Sequence, residues 1–533
     1  MNNKGYQLTI DKIISSAALR TPGQIITYQG KEDYTYEEFY ERVKRLASSL
    51  VRIGVKKGDI VAVIDWDTNR YLESYYAIPM AGAVIHTVNI RYPPELIFYT
   101  MQHAGDTYVI IRDEFVPIIE KNKSAFSFIK GWIVYSEDGE VKDKLSPLYD
   151  YDDLVSKEAE DNLPELNEDD LATTFYTSGT TGMPKGVSFT HRQIVLHTLG
   201  TAVSFNEFPL SVTSKDVLMP LVPMFHVHSW GFPYSGIMKG MKYVLPGKYD
   251  YPRLARIIKE QGVTVSAMVP SILYMIMNVP DVQNFVGKDK FRVIIGGSAL
   301  PRGLAMKAKE LGMEVSAGYG LSETAPVLTL ATFNQDVLRM SDDEKFEVSL
   351  KTGLPIALVH LMVIDSEGNE VPKDGKSIGE IVVRAPWLTK QYTKDPAGTE
   401  KLWKNGWMHT GDLAVVDDLG YISIVDREKD AVKSGGEFIP SLVLEDVIST
   451  CEGVKEVAVV AKPDEKWGER PVAFYSGDET VTEEKIREHL DSYVEFGRIA
   501  KFWVPDEFRR VGEFQKTSTG KIDKKVLKEI LAQ

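Results

Sequence analysis

The sequence predicts an α/β protein: a large N-terminal body of layered α/β subdomains, a small β-barrel-like unit, and a small α+β C-terminal domain. Three observations carry this expectation. Helix-period and strand-like segments alternate over the first 170 residues, the pattern of a largely parallel sheet with both faces covered. From about residue 353 to 426 the signal changes to short strands and turns. The last hundred residues return to βαβ-like periods and close on an amphipathic stretch.

In chain order, Phe39, Val43, Leu46 and Leu50 recur every three to four residues, which predicts a helix over 36–51. Gly54 and the run Lys56, Lys57, Gly58 and Asp59 form a turn, and the β-branched residues of 60–64 read as a buried strand. Residues 108–111 and 132–135 repeat that signal. The acidic stretch 158–170 reads as a solvated connector. Strands follow at 264–270, 292–296 and 313–317, then at 361–364, 379–384 and 421–425 in the small β unit. The final helix places Ile522, Val526, Leu527, Ile530 and Leu531 on one side. Charged residues at 426–430 interrupt two apolar strands, so a domain boundary is expected there.

Composition removes several functions. Of 533 residues, 43% are hydrophobic and 26% charged, as in soluble globular chains. The net charge of −14 disfavours a general nucleic-acid or anionic-membrane binder, while leaving room for a local basic site. The single cysteine, Cys451, cannot pair within the chain, which fits a reducing, cytoplasmic setting, and it reads as a buried apolar thiol. Residues 1–8 lack the apolar core of a secretory leader, and no apolar run is long enough to span a bilayer.

The densest chemical signal runs from Tyr176 to Gly186 and contains Thr177, Ser178, Gly179, Thr180, Thr181, Gly182 and Lys185. Its glycines let backbone N–H groups turn toward an anion, and its hydroxyls and lysine add donors and charge for phosphate. The spacing is not Gly-x₄-Gly-Lys, because Pro184 stands five residues after Gly179. That disfavours a kinase or a nucleotide-hydrolysing switch. Further on, Gly318, Tyr319, Gly320, Leu321, Ser322 and Glu323 combine a flat aromatic suited to adenine with a carboxylate suited to Mg²⁺.

These runs resemble the signature motifs of the adenylate-forming, AMP-binding superfamily, which includes acyl-CoA synthetases, luciferase and peptide-synthetase adenylation domains. The resemblance continues in order through Thr410, Gly411 and Asp412, through Asp426 to Glu437, and through Gln515 to Lys521. It implies that Glu323 and Thr180 hold Mg²⁺, that residues 318–322 lie along adenine, and that Asp412 and Arg427 take the ribose hydroxyls. It also implies an N-terminal domain over 1–426, a hinge at 427–430 that includes Lys429, and a mobile lid over 431–533, with Lys433, Gly435 and Gly436 on the face that serves CoA. Lys521 becomes the lysine that bridges carboxylate and α-phosphate, countering the meeting of two anions.

The segment from Pro223 to Gly231 resembles the acyl-pocket motif of fatty acyl-CoA synthetases, with His226 near the substrate carboxylate and Trp230 gating the tunnel. His226 and His228 stand two apart, but without a His-Glu-x-x-His or cysteine partners they do not read as a metal pair. Gly297, Ser298 and Ala299 would form the opposite wall and border the nucleotide; their small size suits a straight alkyl chain. The expected activity is an ATP-, Mg²⁺- and CoA-dependent ligation of a medium- to long-chain fatty acid through acyl-AMP. A CoA ligase for an aryl, branched or short hydroxy acid is the alternative on the same scaffold. From another class, an inactive nucleotide- or acyl-binding protein is disfavoured because Glu323, Asp412, Arg427 and Lys521 occur together. A homodimer and a peripheral membrane contact are both compatible with the sequence.

Overall fold

The computed structural model describes residues 5–137, 145–177, 183–280, 291–435, 437–517 and 522–532. Four sheets organise them. The first has seven strands in the spatial order Leu148–Asp150, Gly131–Tyr135, Asp106–Arg112, Ile60–Ile64, Val84–Thr87, Leu171–Thr177 and Lys185–Thr190. All its pairings are parallel except the last, in which Leu171–Thr177 turns back onto Lys185–Thr190. The predicted helix is Tyr36–Arg52. Thr35 and Glu38 cap it reciprocally, and Phe39, Val43, Leu46 and Leu50 are buried along its inner face.

The second sheet has nine strands, with a parallel centre running from Ile25–Tyr28 to Met313–Gly320. Met313–Gly320 extends three residues beyond the expected strand end at 317. Its last residues leave the parallel ladder and pair antiparallel with Val327–Leu330. The 318–322 motif is therefore the end of a strand, followed by the 3₁₀ turn Ser322–Thr324. In an α/β sheet this carboxyl end of the strands is the usual binding edge.

The expected small β unit is a five-stranded antiparallel sheet. His360–Ile364, Gly379–Arg384 and Trp407–Val416 lie side by side, and Trp403–Lys404 and Ile422–Arg427 both pair with Trp407–Val416. The C-terminal sheet is mostly antiparallel. Its one parallel pairing joins Gly468–Gly477 to Glu507–Arg510 through the helix Glu483–Glu495, which is the βαβ unit behind the sequence period. The final helix is Lys524–Ala532. Ile522 lies outside it, bridged to Lys516, because Asp523 accepts from the Lys525 N–H and starts the helix there. Leu527 packs into the sheet beside Phe474 and Phe514, whereas Ile530 is exposed. Cys451 is buried, as its apolar reading requires. Among the described residues no helix is long and apolar enough to cross a membrane.

Candidate active site

The carboxyl ends of the second sheet, the small antiparallel sheet and the C-terminal region enclose a cleft of about 3050 Å³. Its wall holds Thr177, Lys185, His226, Trp230, residues 297–299 and 318–323, Asp412, Arg427 and Lys429. Residues 178–182, 436 and 521 lie outside the described residues, so Ser178, Gly179, Thr180, Thr181, Gly182, Gly436 and Lys521 keep only their sequence reading.

Asp412 and Arg427 face each other across a ladder, and the Arg427 guanidinium meets Asp412 Oδ1 at 2.8 Å. The Tyr319 hydroxyl donates to Asp412 Oδ2 at 2.6 Å, so each oxygen of this buried carboxylate has a donor. Burial and the neighbouring Asp412 push the Tyr319 phenol well above its ordinary value, so it stays a donor. The turn bearing Asp412 is held by Glu380, which accepts from His409 Nδ1 at 2.7 Å and from the Gly411 N–H at 3.0 Å. Gly411 has φ +68°, a conformation that favours glycine.

Glu323 is positioned twice. Its carbonyl accepts from the Thr389 N–H at 2.9 Å, and its Oε1 accepts from the Tyr392 hydroxyl at 2.6 Å. Lys185, across the ladder from Thr177, pairs with Asp395 at 2.8 Å and lies 4.5 Å over the Tyr392 ring. Its hydrogen bond with Lys185 holds the Asp395 carboxyl below the usual carboxylate range. The Lys185–Asp395 pair is about one-third exposed, so its attraction is weak enough for phosphate oxygens to replace.

The acyl segment is unusual in backbone. Val227, His228, Ser229 and Trp230 all have φ between 46° and 54°, a left-handed turn of side-chain-bearing residues. Long-range contacts hold it. Asp67 Oδ1 accepts from the Met224 N–H at 2.7 Å, the Tyr75 hydroxyl donates to the Met224 carbonyl, and the Ser229 hydroxyl donates to the Val222 carbonyl at 2.7 Å. Burial raises Asp67 to about 7. The turn sends His226 and Trp230 to the cleft and His228 into the core, where Phe175, Phe189, Tyr75 and Tyr234 surround its ring. Trp230 lies edge-on to Gly296, where a Cβ would stand 3.0 Å from the indole.

Not every expected residue joins the cleft. Lys433 and Gly435 lie on the exposed strand end beyond it, with the Gly435 N–H bonded to the Trp467 carbonyl. Lys516, Thr517 and Lys524 line the cleft instead. Lys524 is held among Glu445 and Ser441, and Lys528 grips Asp430 and the Lys429 carbonyl. Asp426 Oδ2 accepts from the N–H of Ser441, the first residue of helix Ser441–Ser449. Sequence reasoning missed Tyr392, Asp395, Glu380 and Asp67, each of which acts on residues distant in the chain.

The AMP-binding enzyme family model matches residues 14–393, and the model of the AMP-binding enzyme C-terminal domain matches residues 443–521. A long-chain-fatty-acid–CoA ligase of Thermus thermophilus is 39% identical over 500 residues, covering 93% of this chain and 90% of that protein. A medium-chain-fatty-acid–CoA ligase of Ectopseudomonas oleovorans is 34% identical over 536 residues, covering 98% and 96%. The solved fatty acyl CoA synthetase of Mycobacterium tuberculosis superposes with a TM-score of 0.73 at 27% identity, covering 98% of each chain. The chain belongs to the AMP-binding, adenylate-forming enzymes, among the acid–CoA ligases of that family.

Proposed function

We propose that the protein joins a medium- to long-chain fatty acid to CoA in two steps, consuming ATP and releasing pyrophosphate and then AMP. The observation that carries this reading is the group of apolar side chains on the cleft wall beside His226, namely Val227, Trp230 and the buried Phe205 and Phe232, which we read as an acyl arm. An alkyl chain buried there gains about 0.8 kcal/mol per methylene, and a charged or amino-bearing substrate would gain no partner.

In this reading Asp412 takes the ribose hydroxyls while Tyr319 and Arg427 hold it in place. Lys185 exchanges Asp395 for phosphate oxygens. Glu323, with one oxygen fixed by Tyr392 and the other free of that bond, suits a divalent cation, and Thr180 would join it. Mg²⁺ bound there would neutralise phosphate charge as it develops. His226 stands at the mouth of the apolar arm, where the carboxylate must meet the α-phosphate, and Lys521 supplies the positive charge between them. Lys521→Ala is expected to abolish acyl-AMP formation and to spare thioester formation from supplied acyl-AMP.

The chain would work as a body over 1–426, a hinge at 427–430 centred on Lys429, and a lid over 431–533. The lid turns so that Lys433, Gly435 and Gly436 come to the cleft in place of Lys516 and Thr517 for the CoA step. A cytoplasmic setting, with peripheral membrane contact and a homodimer as compatible arrangements, completes the reading.

The test is ATP- and CoA-dependent AMP release across fatty acids of graded length, aryl acids and short hydroxy acids. Turnover is expected to peak on fatty acids. Turnover confined to aryl or hydroxy acids would remove the fatty-acid assignment, and no AMP release with any acid would remove the activity itself.

A further inference from the structure

We propose that the stacked rings of Phe205 and Phe232 form a partition that ends the acyl arm and thereby sets the length of acid the enzyme accepts. The proposal rests on the fatty-acid reading of the cleft. Phe205 closes the helix His191–Ser204 and Phe232 opens the helix Phe232–Met238. Their ring centroids are 5.5 Å apart and their planes differ by 15°. They are only 3% and 2% exposed, so both rings are packed into the core while bordering the cleft.

The pair has two sides. On one it faces the cleft beside Trp230 and Val227. On the other it bounds separate packing gaps, too narrow for a water molecule, walled by Val212, Leu218, Gly236, Met241 and Val265. Among the described residues, Phe205 and Phe232 alone border both spaces. The one polar side chain beyond the pair, Ser235, donates its hydroxyl to the Gly231 carbonyl at 3.1 Å, so nothing there calls for water.

The partition is held from both sides by backbone. The Phe205 N–H donates to the Thr201 carbonyl at 2.9 Å, and its carbonyl accepts from the Val212 N–H at 2.7 Å. Phe232 follows directly on the left-handed turn at 227–231, and the Tyr76 hydroxyl fixes the Pro233 carbonyl at 2.7 Å. A chain longer than the arm therefore meets two rings that cannot withdraw together without moving two helices. Removing one ring would join the arm to the apolar gaps, and each additional methylene accommodated there is worth about fourfold in kcat/KM.

The experiment measures kcat/KM over a graded series of saturated fatty acids for wild type, Phe232→Ala, Phe205→Ala, Phe232→Leu and Val212→Ala. Both alanine variants are expected to move the optimum about two to four carbons longer, the length that the deleted ring's volume can hold. Phe232→Leu should move it in the same direction by less, and it keeps the test alive if an alanine variant does not fold. Val212→Ala enlarges only the far side, so its optimum should stay at the wild-type length. An unshifted optimum in folded Phe205 and Phe232 variants that still activate the wild-type acid overturns the partition and leaves the fatty-acid reading intact. Wild-type protein that activates no fatty acid removes that reading and the partition with it. A shift in Val212→Ala equal to that of Phe232→Ala shows general core loosening and also overturns the proposal.

Discussion

The Tyr392 hydroxyl donates to Glu323 at 2.6 Å while the face of the same ring lies 4.5 Å from the Lys185 ammonium. One aromatic side chain thus fixes both a carboxylate suited to a divalent cation and a lysine suited to phosphate, using its polar tip for one and its π-face for the other.

Separating those two functions gives a first prediction. Tyr392→Phe keeps the ring and loses the hydroxyl, so the Mg²⁺ concentration for half-maximal ATP–pyrophosphate exchange should rise about tenfold while the KM for ATP at saturating Mg²⁺ changes little. Tyr392→Leu should raise both. An unchanged Mg²⁺ titration in Tyr392→Phe would refute the orienting role.

Asp412 is buried, and Arg427 and Tyr319 donate to its two carboxylate oxygens. Arg427→Ala removes a charge-assisted contact, and the KM for ATP should rise about 10- to 100-fold, with a lowered melting temperature. Tyr319→Phe should cost about fivefold. Steady-state kinetics at fixed acid and CoA measure both, and a larger loss in Tyr319→Phe than in Arg427→Ala would contradict this ranking.

His228 has no hydrogen-bond partner for either ring nitrogen among the described residues, and burial lowers its pKa to about 3. The unfolded imidazole binds a proton near pH 6.5 while the folded one does not, so unfolding takes up a proton below that pH. Stability is therefore full above about 6.5 and falls toward pH 3, by up to about 1.4 kcal/mol per pH unit for this one group. His228→Phe should be more stable than wild type at pH 5 by more than at pH 8. Urea melts at the two pH values measure it, and an equal difference at both would exclude the buried-imidazole account.

At Gly296 an added methyl would stand 3.0 Å from both the Gly318 carbonyl oxygen and the Trp230 ring. The backbone cannot yield readily, so Gly296→Ala should cost about 1–3 kcal/mol of stability and displace the indole. The KM for the acid should rise more than the KM for ATP. Equal changes in the two would place the damage outside the acyl arm.

What the sequence revealed follows from the range of each interaction. The helix Tyr36–Arg52 and the strands Ile60–Ile64 and Gly379–Arg384 were legible because period and β-branching act over a few residues. Lys185, Glu323, Asp412 and Arg427 were legible as members of recurring motifs. Tyr392 was not, because its bond to Glu323 spans 69 positions, and Asp67 was not, because its bond to Met224 spans 157. Such pairings leave no periodic trace. The end of Met313–Gly320 was misjudged for a related reason: its glycines suggest a turn until an antiparallel neighbour is present to extend it.

The strand Ile422–Arg427 ends in two residues with opposite attachments. Arg427 holds the Asp412 carboxylate, and Asp426 holds the first N–H of the helix Ser441–Ser449. Because successive side chains of a strand point to opposite faces, the two grips sit back to back. A single peptide bond thus separates the cleft-side contact of Arg427 from the first turn of the helix Ser441–Ser449. A twist at either residue is felt directly at the other, with no intervening loop to absorb it.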